Sequence, residues 1–102
     1  MLNMLETKAD FDKCISVNKK VVIDFTACWF PPCKIINPRF EAMSEDFKDW
    51  TFVKVDADDN EETVEACGIH SMPSFKFYVD GIEVDQVTGA DENALKEKLG
   101  IY

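Results

Sequence analysis

The sequence predicts an α/β domain, and three observations carry that reading. Val21-Val22-Ile23-Asp24-Phe25-Thr26 is an apolar, β-branched run too short for a helix and suited to a central strand covered on both faces. Ile36, Phe40, Met43 and Phe47 recur at spacings of four, three and four, the stripe of a long helix lying on a sheet. Asp80-Gly81 between two alternating apolar runs is a hairpin turn.

Taken in order, Met1 to Glu6 is a short apolar stretch able to add a strand at a sheet edge. Thr7-Lys8-Ala9-Asp10 has the form of a capping box, with Thr7 accepting from the helix amides and Asp10 reaching back. Phe11, Cys14 and Ile15 give the first helix its apolar face, and Asn18-Lys19-Lys20 closes it. Cys14 on that face reads as a small core residue rather than a reactive thiol.

The Val21–Thr26 strand puts Val21, Ile23 and Phe25 on one face and Val22, Asp24 and Thr26 on the other. If that strand is covered on both faces Asp24 is buried, which would raise its pKa by disfavouring the ionised form, although strand carboxylates more often lie on the solvent face. Pro31 and Pro32 start the long helix, where the missing amide donors have no helical partner anyway. Pro38 lies inside that helix and bends it, and the stripe carries it to about Lys48 or Asp49.

Trp50 to Asp56 alternates into a strand, after which Asp58, Asp59 and Asn60 supply an N-cap for a third helix. Val64 and Cys67 share the buried side of that helix, and Gly68 is a left-handed stop. A strand from Phe75 to Val79, the turn, a strand from Glu83 to Thr88 and a last helix capped by Asp91 follow, with Ala94, Leu95 and Leu99 inward. The order β-α-β-α-β-α-β-β-α uses the whole chain, so residues 1–102 read as a single domain.

Composition excludes several function classes. A 46% apolar content with interleaved charge describes a soluble globular protein. The net charge of -9 argues against nucleic acid, whose phosphates demand clustered Lys and Arg. No apolar run approaches the roughly 20 residues of a membrane span, and the N-terminus lacks the order of a signal peptide, so the expected compartment is the cytoplasm. The cysteines at 14, 28, 33 and 67 lack the paired spacing of a zinc site and His70 stands alone, so no metal or other cofactor is expected.

The stretch from Asp24-Phe25 through Trp29-Phe30-Pro31-Pro32-Cys33-Lys34 to Pro38 resembles the thioredoxin family, whose usual motif is W-C-G-P-C-K. The resemblance spans essentially the whole chain and implies the thioredoxin fold: a central five-stranded mixed β-sheet flanked by four α-helices. It implies thiol–disulfide exchange in cell redox homeostasis, with protein or peptide thiols and disulfides as partners and thioredoxin reductase as a candidate reductant. The motif here is degenerate, because Phe30 stands where the family has its attacking cysteine.

By the same resemblance Cys33 matches the resolving cysteine, shielded and therefore a poor nucleophile. Asp24 matches the residue that accepts a proton from that cysteine, and Lys54 the lysine near the buried carboxylate, which makes a Lys54–Asp24 pair plausible. Met72, Pro73, Gly89 and Ala90 match the family's substrate groove, with the Met72-Pro73 bond cis and the backbone before the proline offered to an extended peptide, and Trp29, Phe30, Pro31 and Pro32 are assigned to the same groove, the two aromatics as its apolar surface. The relatives known as tryparedoxins carry W-C-P-P-C, so paired prolines are compatible with a redox centre.

Cys28, at the strand end, is the substitute thiol. A Cys28–Cys33 bridge needs Cα atoms within about 7 Å, and a strand end followed by Pro31-Pro32 favours a lone loop thiol over that couple. Three readings stay open: an oxidoreductase with an altered centre acting through Cys33, Cys28 or both; a redox-inactive module that binds peptides or proteins; and a subunit that stabilises a larger enzyme. A monomer is expected, with a disulfide-linked dimer through Cys28 as the alternative.

Overall fold

The computed structural model describes residues 2–102; Met1, read above as part of an edge strand, lies outside the described residues. Among the described residues five strands form one mixed sheet in the order β1-β3-β2-β4-β5, and four helices cover its two faces. The strands are β1 (Asn3–Met4), β2 (Lys20–Thr26), β3 (Thr51–Asp56), β4 (Ser74–Val79) and β5 (Ile82–Thr88). The helices are α1 (Lys8–Val17), α2 (Pro31–Asp46), α3 (Glu61–Ala66) and α4 (Glu92–Ile101).

β2 lies at the centre, parallel to β3 and antiparallel to β4, and is buried from Val21 to Thr26. The pleat divides its side chains between two layers. Val22 packs with Ile36, Phe40, Met43, Phe52, Phe75, Phe77, Leu95 and Leu99 under α2 and α4. Val21, Ile23 and Phe25 pack with Phe11, Cys14, Val53, Val55 and Tyr78 on the opposite side. Asp24, in phase with Val22, faces the α2 side.

Several expected signals are present. Thr7 Oγ1 accepts from the Asp10 amide at 3.0 Å, Asn60 and Asp91 cap α3 and α4, and Gly68 stops α3 at φ 67°. Asp80 and Gly81 both have positive φ, 53° and 80°, as a tight hairpin turn requires. Pro38 lies inside α2.

Four details differ from the sequence reading. Asp10 reaches back past the Thr7 cap to the Glu6 amide at 3.3 Å, one residue before the usual partner in a capping box. α2 ends at Asp46, because Phe47 leaves helical geometry and turns its ring onto the apolar layer. Trp50 precedes β3 and donates from its indole to the Leu99 carbonyl at 2.9 Å. In α3 the buried residue is Thr63, whose hydroxyl donates to Asn60 Oδ1 at 2.9 Å, while Val64 and Cys67 are only half-buried.

Candidate functional site at the end of the central strand

The site forms where β2 passes into α2. Beyond Thr26 the chain turns through Cys28 and Trp29, with the Phe30 amide donating to the Ala27 carbonyl at 3.1 Å. Phe30 occupies the N-cap position of α2. Its carbonyl accepts from the amides of Cys33 (3.1 Å) and Lys34 (3.2 Å), but its side chain has no oxygen with which to satisfy the other orphan donors. Pro31 and Pro32 remove two of those donors, which is why an apolar residue is tolerated there.

The aromatics are held from two directions. The Trp29 indole donates to Asp58 Oδ2 at 2.8 Å, although the residue is 63% exposed. Phe30 packs against it and is half-buried, not exposed as its loop position suggests. Trp29 and Phe30 line a cavity of about 210 Å³ with Ala27, His70, Ser71 and Met72. The Met72-Pro73 bond is cis, and the Pro73 carbonyl accepts from the Gly89 amide at 2.8 Å. Gly89 has φ 94°, a conformation that favours glycine. Ala90, the other residue of that loop, is exposed and lines a separate open depression running from Thr88 to Asn93.

Sulfur is distributed unevenly. Cys28 is exposed, whereas Cys33 is wholly buried and its Sγ accepts from the Ala27 amide at 3.5 Å. All four cysteines are free. Cys14 is buried in the core, and Cys67 lies 3.7 Å from the Tyr78 hydroxyl. Burial pushes both of those thiols above their ordinary value.

Beneath α2 is the carboxylate. Asp24 is wholly buried, and neither of its oxygens has a hydrogen-bond partner among the described residues. Burial raises its pKa from 3.8 to about 7, against a smaller opposing pull from the Lys54 charge. Lys54 is the neighbour of Asp24 in the β2–β3 register, yet its ammonium does not bond to Asp24; it binds Glu41 Oε1 at 3.2 Å. The expected ion pair is thus corrected to a longer-range attraction, because a carboxylate on α2, half in water, offers Lys54 a less dehydrated partner.

The structure therefore brings Trp29, Phe30 and Met72 around one cavity, with Pro73 and Gly89 joined beside it and Cys33, Asp24 and Lys54 below the surface. Cys28 and Pro31 are exposed at the loop and Pro32 is half-buried.

The family model described as Thioredoxin matches residues 3–100. The chain belongs to the thioredoxin family. It is 50% identical over 102 residues to the thioredoxin of Geodia cydonium, across 97% of this chain and 96% of that one. The thioredoxin of Mycoplasmoides gallisepticum is 47% identical over 96 residues, across 93% and 96% of the two chains. Among solved structures, Plasmodium falciparum thioredoxin superposes with a TM-score of 0.95 at 40% identity over 99% of both chains. Fasciola hepatica thioredoxin does so with a TM-score of 0.92 at 39% identity over 96% of both.

Sequence reasoning took Asp58 only as a helix-cap candidate and did not single out Glu41, Asn37 or Ser71. A signal for two of them existed: Cys33, Asn37 and Glu41 recur every fourth residue and so form one polar stripe along α2. Asn37 donates to Thr26 Oγ1 at 3.2 Å and keeps a buried carbonyl oxygen without a partner among the described residues.

Proposed function

We propose that this thioredoxin-family chain takes part in thiol–disulfide exchange and cell redox homeostasis with an altered centre, in which dithiol reduction is weak. One observation carries the reading. The exposed side of the helix mouth holds Phe30, while the motif cysteine, Cys33, is wholly buried. Disulfide exchange needs a thiolate that can reach sulfur in line, and Cys28 is the exposed thiol of this loop.

In this reading the Cys28 thiolate attacks one sulfur of a partner's disulfide and the partner's second sulfur leaves as a thiolate, giving a mixed disulfide. A second thiol, Cys33 after local opening or a low-molecular-weight thiol, then displaces the partner and takes its place in the bond to Cys28. Asp24, whose pKa burial raises to about 7, is the proton store beneath the helix start, with Lys54 tuning its charge. Trp29, Phe30, Met72, Pro73 and the Gly89-Ala90 loop hold the partner peptide. The partners are protein or peptide thiols and disulfides in a reducing, cytoplasmic compartment. Thioredoxin reductase is the reductant, and the chain works as a monomer that a Cys28 disulfide converts to a dimer.

A second reading, a redox-inactive module that binds peptides, is favoured by the apolar cavity between Trp29, Phe30 and Met72. Insulin reduction coupled to thioredoxin reductase separates the two. Slow turnover lost in Cys28→Ser supports the altered enzyme; no turnover in wild type, Cys28→Ser or Cys33→Ser supports the module.

A further inference from the structure

Asp24 and Lys54 occupy neighbouring places on parallel strands, about 5 Å apart at the backbone, and both face α2. The ammonium nevertheless leaves Asp24 unpartnered and binds Glu41 Oε1 at 3.2 Å. The Lys54 side chain is 14% exposed and that of Glu41 38%, so this pair lies at the boundary between the core and water.

We infer that Glu41 is a positioning residue that holds the Lys54 ammonium away from Asp24, so that Lys54 serves one of two carboxylates according to the protonation of Asp24. The inference rests on the reading of Asp24 as the proton store of the site and supplies its regulation. A neutral, protonated Asp24 tolerates burial without a cation. An ionised one does not, since a buried charge requires a partner. When Asp24 releases its proton, Lys54 turns from Glu41 to Asp24, and Glu41 is left to water, where a carboxylate is well solvated. A Lys stem with four flexible carbons makes that transfer without moving the backbone.

The groups that face Asp24 restrict the alternatives. β3 contributes Lys54 and, one step beyond, Asp56, whose Oδ1 is occupied by the Asp58 amide at 2.8 Å. α2 contributes Cys33, the amide of Asn37 and Glu41. β4 and α4 present Phe75, Phe77, Val79, Ala94, Leu95 and Leu99 to this layer, all of them apolar. Lys54 is the cation among them, and Glu41 its bonded competitor.

The test is the titration of the Asp24 carboxyl carbon by NMR in the full reduced chain, which needs no disulfide substrate and is independent of whether the chain turns over. Glu41→Gln releases Lys54, and the Asp24 midpoint is expected to fall by about half a pH unit or more. Lys54→Met is expected to raise it. In the Lys54→Met background Glu41→Gln should shift the midpoint by less than half as much, because only the direct repulsion between the two carboxylates is then removed. Lys54→Gln serves as the second background should Lys54→Met fail to fold. Equal shifts of Asp24 in the presence and absence of Lys54, or no shift on Glu41→Gln, would overturn the inference.

Discussion

The ring of Phe30 meets that of Trp29 nearly edge-on, with centroids 5.6 Å apart and planes at 63°. Both rings line the small cavity beside Met72, so Phe30 is at once a lid over the helix start and a wall of the groove. Phe30→Cys removes the lid and places a thiol one turn from Cys33, at a helix N-terminus that favours a thiolate. The variant is expected to form an internal disulfide with Cys33 and to reduce insulin far faster than wild type. Because Phe30 is half-buried, its truncation should cost about 1–2 kcal/mol, below the range for a fully buried Phe. Equal insulin reduction by wild type would mean that Cys28 or Cys33 is already a competent nucleophile.

Asp24 makes stability depend on pH. Its folded pKa, about 7, exceeds the ordinary 3.8, so between these values the folded chain keeps a proton that the unfolded chain has lost. The resulting stabilisation is fully present below pH 3.8 and is lost as pH rises through about 7. Its full size is on the order of 4 kcal/mol. Asp24→Asn should therefore flatten the pH dependence of urea unfolding across this window and be more stable than wild type at pH 7 and above. A variant less stable than wild type at pH 7 would contradict the burial cost assigned to Asp24.

Thiol labelling of the native chain should follow exposure. Cys28 is expected to react first, half-buried Cys67 more slowly, and Cys14 and Cys33 last, on the timescale of local opening. Mass spectrometry of peptides after timed alkylation reads the order. Early modification of Cys14 would remove it from the core between α1 and the sheet.

On the same face of the sheet as Cys14, opposite to Asp24, Lys76 is 7% exposed and its ammonium lies 2.7 Å from Glu83 Oε1. Glu83→Gln removes the partner of a nearly buried cation and should cost about 1–2 kcal/mol, less than a fully buried pair because water reaches the Glu83 side. Adding Lys76→Met should recover most of that loss in chemical denaturation. An unchanged midpoint in Glu83→Gln would show that the ammonium finds water unaided.

The sequence by itself determined the order of the elements, the capping residues Thr7 and Asp91, the left-handed stop at Gly68, and the placing of Asp24 in a strand suited to cover on both faces. These follow from local rules: a period of two or of roughly four, the shape of a cap, and the few residues that accept positive φ. What it left undecided depends on which side chains meet across elements. α2 packed on the sheet brings Glu41 to Lys54 and leaves Asp24 without a partner. The Phe47 ring, drawn into the apolar layer, ends the helix early. Asp58, after β3, fixes the Trp29 indole and so the wall of the cavity. Local periodicity states only that a residue faces inward; the partner it finds there is settled by the close packing of segments distant in the chain, which only the tertiary structure decides.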